Sequence, residues 1–460
     1  MQPAFLRLLN TRAWQVLLLF VLLLGLGLEA SRAADTLDWN ARKGRVSADI
    51  KSTDLLGVLG QIAAATGWQV FVEPETMHPV SAKFSDLPPG EALGLLLGDV
   101  NFALLPSTNG SSRLFVFRTD RQRATQLVHA KVHGKIIPNE LIVRLKPGAK
   151  IDELARLLGA KVIGRLDKLN AYRLQFADAA AADAARQTLG SQPDVAAVDS
   201  NYVIDGPTTP SGMAMPAGAP QLQMKAPPST GRVIVGLVDT AVQPLGNGLD
   251  QFVQKQISVA GAAQLDPNTP THGTAMAETI LTSLQDLTKG STSVQILPVD
   301  VYGPNSSTST FDVANGIVQA VNGGAQIINL SLGSADDAPY LHQVVQQATS
   351  QGILLIGAAG NQPVTTPFFP AAYPEVDAVT AIDQGQLASY ANRGSWISFG
   401  APGNSLVPFG SMTWGVEGTS VSSAYLSGAA AGYMDANQAT AQKAQAFLRG
   451  NFGVTIRPAP

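Results

Sequence analysis

Between residues 232 and 455 short apolar runs alternate with stretches of helical period, and few folds accept that alternation. Val233-Ile234-Val235-Gly236-Leu237-Val238 is apolar throughout, which suits a strand covered on both faces. Residues 294–301 form a second run, interrupted by Pro298. A helical stretch follows over 313–321, then the strand Ile327-Ile328-Asn329-Leu330 and a helix over 340–350. Ile353-Leu354-Leu355-Ile356 and residues 376–382 read as two more strands. Strands and helices in this order predict an α/β fold, a parallel sheet with helices on both faces. In such sheets functional groups gather at the carboxyl ends of the strands.

Four polar residues fall where that rule directs attention. Asp239 directly follows the first apolar run, with Thr240 behind it. His272 stands in Pro270-Thr271-His272-Gly273-Thr274, just before an apolar helical stretch. The other histidine of this region, His342, lies inside a helical pattern and reads as a partly exposed helix residue. The run Ile353-Leu354-Leu355-Ile356-Gly357-Ala358-Ala359-Gly360 ends in Asn361. A side-chain amide at that place can donate to an oxyanion, worth about 3–4 kcal/mol in a transition state. Ser420 lies in Gly418-Thr419-Ser420, ahead of an Ala/Gly-rich apolar run over 424–434 that reads as a buried helix. Free N–H groups and the helix dipole at such an end favour developing negative charge. Taken singly, each feature has a plain structural reading: a strand-end cap, a surface turn, a Gly-Asn turn and a helix N-cap. Together they supply the carboxylate, base, amide and hydroxyl of nucleophilic hydrolysis.

The order Asp, His, Asn, Ser and its surroundings resemble the subtilisin-like serine proteases, the subtilases. The resemblance spans about 220 residues and rests on Val238-Asp239-Thr240, His272-Gly273-Thr274, Asn329-Leu330-Ser331-Leu332-Gly333, Ala358-Ala359-Gly360-Asn361, Phe369-Pro370-Ala371, Ala401-Pro402-Gly403 and Gly418-Thr419-Ser420. It implies a subtilisin-like α/β fold with Ser420 as nucleophile, His272 as general base and Asp239 orienting the imidazole. Asn361 and the Ser420 backbone N–H would form the oxyanion hole. Ser331, Leu332 and Gly333 would pair with an extended substrate and, with Ala358 and Gly360, wall the specificity pocket. Three places depart from the family's usual pattern: Ala241 replaces a glycine, Ala275 a second histidine, and Val421-Ser422-Ser423 a Met-Ala-containing turn. The segment between Ile280 and Val294 lacks the loop that carries calcium in many members, so no calcium site is expected and no cofactor.

Upstream of this domain lie two smaller α+β units. Residues 136–206 alternate strand, helix, strand, helix, strand, a split βαβ order that packs two helices on one antiparallel sheet. Pro138-Asn139-Glu140-Leu141-Ile142-Val143 and Val198-Asp199-Ser200-Asn201-Tyr202-Val203 resemble subtilase prosegments, which implies an intramolecular inhibitor cut after folding. Residues 207–231, rich in Pro, Gly, Ala and Thr, read as an exposed linker holding the processing site. Residues 42–118, with Thr66-Gly67-Trp68 and Leu87-Pro88-Pro89-Gly90-Glu91-Ala92-Leu93, resemble the short secretin/TonB-receptor N-terminal domain. That likeness implies a periplasmic protein-binding module that docks an envelope protein; a plain spacer is the alternative reading.

Arg7 and Arg12 precede thirteen unbroken apolar residues at 16–28, and Ser31-Arg32-Ala33 follows. The run is short of the roughly 20 residues a membrane span needs, so residues 1–33 read as a cleaved export signal. Periplasmic or secreted placement follows, with outer-membrane association as a further option. The chain has no cysteine, which excludes disulfides, thiolate metal sites, a cysteine nucleophile and a lipid-bearing cysteine anchor. From Pro228 onward seven basic residues face fourteen acidic ones, and the preceding part carries 24 and 20. Neither balance offers the clustered basic face of a nucleic-acid binder. The expected function is an exported serine endopeptidase made as an inhibited precursor, acting on protein or peptide substrates. The alternative is a subtilase-fold envelope binding protein with little or no activity.

Overall fold

The computed structural model describes residues 36–40, 44–66, 68–74, 76, 78–106, 112–128, 136–207, 215–216, 222–225 and 233–454. The export signal at 1–33 and most of the linker at 207–231 lie outside the described residues. Two compact units divide the chain, Met1–Lys131 and Val132–Pro460.

In the first unit the strands β1 (Thr36–Asn40), β2 (Arg45–Asp54) and β4 (Pro79–Leu87) form one sheet. A second contains β5 (Asn101–Leu105), β6 (Arg113–Phe117), β3 (Gln69–Val72) and β7 (Gln126–Val128), in that spatial order. The helices α1 (Leu55–Thr66) and α2 (Pro89–Leu97) bury Val58, Leu59, Ile62, Leu93, Leu96 and Leu97 against Val46, Val70, Leu114 and Val116. These are the apolar positions whose periods mark the helices and strands in the sequence. β1 and β7 lie outside residues 42–118, yet both pair into these sheets.

The second unit begins with β8 (Ile136–Leu145), α3 (Ile151–Leu157), β9 (Lys161–Leu166), β10 (Ala171–Gln175), α4 (Ala179–Gly190) and β11 (Val195–Asp205). Their antiparallel sheet runs β11-β8-β10-β9 and is extended at the β11 edge by β16 (Ser307–Ser309). β16 leads straight into α6 (Thr310–Asn322). Ile142, Leu166, Ala171 and Ile204 share a core with Phe311 and Tyr340. The Asn201 side chain accepts from Thr310 Oγ1 (3.0 Å) and Phe311 N (3.1 Å), satisfying donors at the start of α6. Arg173 bridges Glu140 (2.7 Å) and Asp312 (2.9 Å) across the same junction.

The large sheet runs β14 (Ile257–Ser258), β15 (Gln295–Asp300), β13 (Ile234–Asp239), β17 (Ile327–Leu330), β18 (Leu354–Ala358), β19 (Val376–Asp383) and β20 (Gln386–Leu387), with β21 (Phe399–Pro402) also paired to β19. All pairings are parallel except β19 with β20. Because β15 lies on one side of β13 and β17 on the other, the order reverses at β13, where functional crevices open in such sheets. Pro298, read in the sequence as an interruption, sits within continuous β15 opposite Leu237. The N–H groups of Gln295 and Val301 point to the β13 side, so by alternation that of residue 298 would face the other side. There β14 pairs only with Val299 and Asp300, so no bond is forfeited.

The remaining elements are α5 (His272–Thr288), α7 (Pro339–Ser350), α8 (Thr419–Asn437), α9 (Ala441–Phe452) and the hairpin β22 (Asn404–Phe409) with β23 (Met412–Glu417), which β12 (Met215–Pro216) extends. The Ala/Gly content of α8 reflects close packing on α5. A Cβ at Gly428 would lie 2.5 Å from the Ile280 carbonyl oxygen, closer than real atoms approach.

Candidate active site

Each polar residue singled out in the sequence sits at an element end on the same rim. Asp239 closes β13, His272 opens α5, Asn361 lies three residues beyond β18, and Ser420 is the second residue of α8. His272 Nδ1 and Asp239 Oδ1 are 2.7 Å apart, and both residues are buried. The same oxygen accepts from Thr240 N at 2.7 Å, whereas Asp239 Oδ2 is buried without a partner. A buried carboxylate left half-unpaired costs stability, and such costs concentrate at functional sites. Across the strand register Asp300 faces Asp239. Burial raises the Asp300 carboxyl above its usual range, and the N–H groups of Gly303 and Tyr302 pull it back.

Packing sets the histidine's position. A Cβ at Gly273 would fall 2.1 Å from the Thr240 carbonyl oxygen, so the glycine lets α5 start against the end of β13. Gly273 N donates to Thr240 Oγ1 at 2.8 Å. Thr271 caps the helix, accepting from Thr274 N, and its hydroxyl donates to the Ala241 carbonyl at 2.5 Å. Ala241, where the family has glycine, is thus a buried anchor for that cap.

Ser420 is held from the opposite side. Its hydroxyl donates to the Ser331 carbonyl at 3.3 Å, and Ser331 Oγ donates back to the Ser420 carbonyl at 3.2 Å. Behind them Asn329 Nδ2 donates to Ser331 Oγ at 2.8 Å, while Asn329 Oδ1 accepts from Ser423 (2.8 Å) and Ser427 (3.1 Å). The unusual turn after the serine therefore supplies a donor to a buried network. Ser422, its middle residue, donates to the Ala401 carbonyl at 3.1 Å.

Asn361 is exposed, yet its amide is oriented. Thr419 N and Oγ1 donate to Asn361 Oδ1 at 2.8 and 2.9 Å, leaving Nδ2 to face outward beside Gly418. A Cβ at Gly418, where φ is 150°, would lie 3.0 Å from that nitrogen. Thr419 Oγ1 also accepts from Gly360 N at 3.0 Å. Asn392 completes the turn, donating to the Ala359 carbonyl (2.7 Å) and accepting from Gln362 N (2.8 Å). Gly360 has φ of 100°, and its Cβ would lie 2.5 Å from Asn392 Nδ2. Sequence reading missed the part played by Thr419, although it stands beside Ser420. It also missed Asn392, for which spacing carries no signal.

Among the remaining predicted residues, Ser331, Leu332 and Ala358 are buried, while Gly333 lies partly open at the rim. Ser331-Leu332-Gly333 leaves β17 and Ala358-Ala359-Gly360 leaves β18, so the two segments run side by side on the sheet.

Carboxylate, imidazole and hydroxyl at the carboxyl rim of a parallel sheet define the class as a serine hydrolase. Comparison with known proteins narrows it. The subtilase family model matches residues 230–451, and the fervidolysin N-terminal prodomain model matches residues 122–201. Over 221 residues the chain is 32% identical to Subtilisin Savinase of Lederbergia lenta, covering 45% of this chain and 81% of that protein. It is 29% identical over 316 residues to a thermophilic serine proteinase of Bacillus sp. strain AK1, covering 65% of this chain and 78% of that one. The epidermin leader peptide processing serine protease of Staphylococcus aureus shares the fold, with a TM-score of 0.52 and 15% identity over 70% of this chain and 95% of its own. The chain belongs to the subtilase family: it is a serine protease made with a prodomain.

Proposed function

We propose that Ser420 is the nucleophile of this protease, His272 its general base and Asp239 the residue that orients and charge-balances the imidazole. The 2.7 Å contact between His272 Nδ1 and Asp239 Oδ1 carries the proposal, because it leaves Nε2 as the ring's free nitrogen. Ser420 Oγ leaves the Ser331 carbonyl, passes its proton to Nε2 and bonds to the substrate carbonyl carbon. The oxyanion so formed is met by Asn361 Nδ2 and the Ser420 N–H. The C–N bond then breaks as His272 returns the proton to the leaving amine, and water releases the acyl group by the reverse path. No cofactor is needed for these steps. Ser331-Leu332-Gly333 binds the substrate in extended form, and Ala358 and Gly360 face it. A fluorophosphonate probe should label the purified chain and not Ser420→Ala; labelling of both would remove Ser420 from the role.

Residues 136–206 act as the intramolecular inhibitor, the linker 207–231 takes the processing cut, and residues 232–455 carry catalysis. The apolar run at 16–28 supports export to the periplasm or beyond. The strand and helix order of residues 42–118, similar to secretin/TonB-receptor N-terminal domains, supports docking to an envelope protein. Deleting 42–118 should spare peptide hydrolysis and change localisation; an inactive deletion would contradict that assignment.

A further inference from the structure

We propose that Phe368 fills the side-chain pocket beside Ser420 and limits the residue at the attacked carbonyl to glycine, alanine or serine. The proposal rests on Ser420 being the nucleophile. Two backbone segments bound the space next to it. Ser331-Leu332-Gly333 touches Ser420 through the Ser331 carbonyl, and Ala358-Ala359-Gly360 is tied to Thr419 through Gly360 N. They continue from neighbouring parallel strands, β17 and β18, and each ends in a glycine. An acyl group on Ser420 would place its side chain between them.

One benzyl ring already lies against both glycines. A Cβ at Gly333 would come within 2.6 Å of Phe368 Cε1 and 2.9 Å of Cδ1, and a Cβ at Gly360 within 3.2 Å of Cγ. The ring thus occupies the gap the two backbones leave. It is only partly buried, as expected of a side chain at the inner end of an open pocket.

Its backbone is pinned on the carboxyl side. Phe369 exchanges two bonds with Ser334, N to O at 2.7 Å and O to N at 2.8 Å, and Ala372 N donates to the Phe368 carbonyl at 2.8 Å. Phe369 in turn packs on Tyr373, ring centroids 4.8 Å apart. A large substrate side chain could enter only by expelling a ring whose main chain is held in place. A hydrogen or a methyl group meets no such conflict. Close-packed interiors discriminate at the level of single methylene groups.

The test compares peptide amides differing only in the residue at the attacked carbonyl (alanine, leucine or phenylalanine), with active enzyme counted by fluorophosphonate labelling. The purified chain should show kcat/KM at least about tenfold higher for alanine than for phenylalanine. Phe368→Gly and Phe368→Ala should raise the phenylalanine-to-alanine ratio by about 10–200-fold, while Phe368→Tyr should keep the original preference. Equal use of alanine and phenylalanine by the unaltered chain would overturn the proposal, even if the small variants failed to fold. An unchanged ratio in a labelled Phe368→Ala enzyme would overturn it as well. Absence of labelling in the unaltered chain would overturn the nucleophile assignment itself, and this proposal with it.

Discussion

Two polar clusters brace the second unit, and they are built from opposite chemistry. The one joining residues 136–205 to α6 is ionic: Glu140, Arg173 and Asp312, with Asn201 bonded to Glu140 at 2.8 Å. The one behind Ser420 is neutral: Asn329, Ser331, Ser423 and Ser427. A buried ion pair is stable while both partners are present and costly once one leaves. That makes the junction sensitive to the loss of any one of its charged members. Burial raises the Asp312 carboxyl, and the Arg173 guanidinium draws it back, so the acid depends on its partner across the junction. Hydroxyl and amide groups titrate in no ordinary pH range and leave no stranded charge. They suit a frame that holds the start of α8 at Ser420 in one position.

Changes at individual residues can break this contrast. In uncut Ser420→Ala precursor, Arg173→Met should strand Glu140 and Asp312 and cost about 3–5 kcal/mol. Thermal denaturation of the double variant would register it, and an unchanged Tm would mean the ionic cluster is not the junction's anchor. Glu278 sits between the two cases, a carboxyl inside α5 that burial pushes up to about 8. Because the folded-state value is raised, its contribution to stability is fully present below about pH 4.5 and is lost as pH rises through 8. Glu278→Gln should therefore match the parent at pH 4.5 and exceed it at pH 9, by about 5 kcal/mol at most; parallel Tm curves over that range would refute the assignment. The smallest effect belongs to the neutral cluster. Ser423→Ala leaves Asn329 Oδ1 still bonded to Ser427, so urea denaturation should show a loss of only about 1 kcal/mol. A loss as large as that of Arg173→Met would erase the distinction.

Most of the large domain's architecture was legible in the chain, because strands buried on both faces must be apolar throughout and helices must keep one apolar stripe. Runs such as 233–238 and 327–330 have the short length and β-branched content of buried strands. Asp239 and His272 were legible too, since each borders an element whose end the sequence announces. What stayed hidden depends on contacts between distant segments. β9, with its alternating exposure, carries too few apolar residues to stand out. Pro298 misled because its missing N–H matters only where the neighbouring strand pairs at that residue. Thr419 orients the Asn361 amide and Asn392 holds the turn that carries it, through bonds to residues 58 and 30 positions away.

By itself, then, the sequence determined the order of strands and helices, the residues delivered to the rim and the family to which they belong. These follow from local period and from chemistry carried by single side chains. Tertiary structure alone decided which oxygen of Asp239 meets the imidazole, which hydroxyls brace Ser420, and that a phenylalanine ring stands between Gly333 and Gly360. Distances of a few ångströms between remote segments set those facts, and no spacing along the chain encodes them.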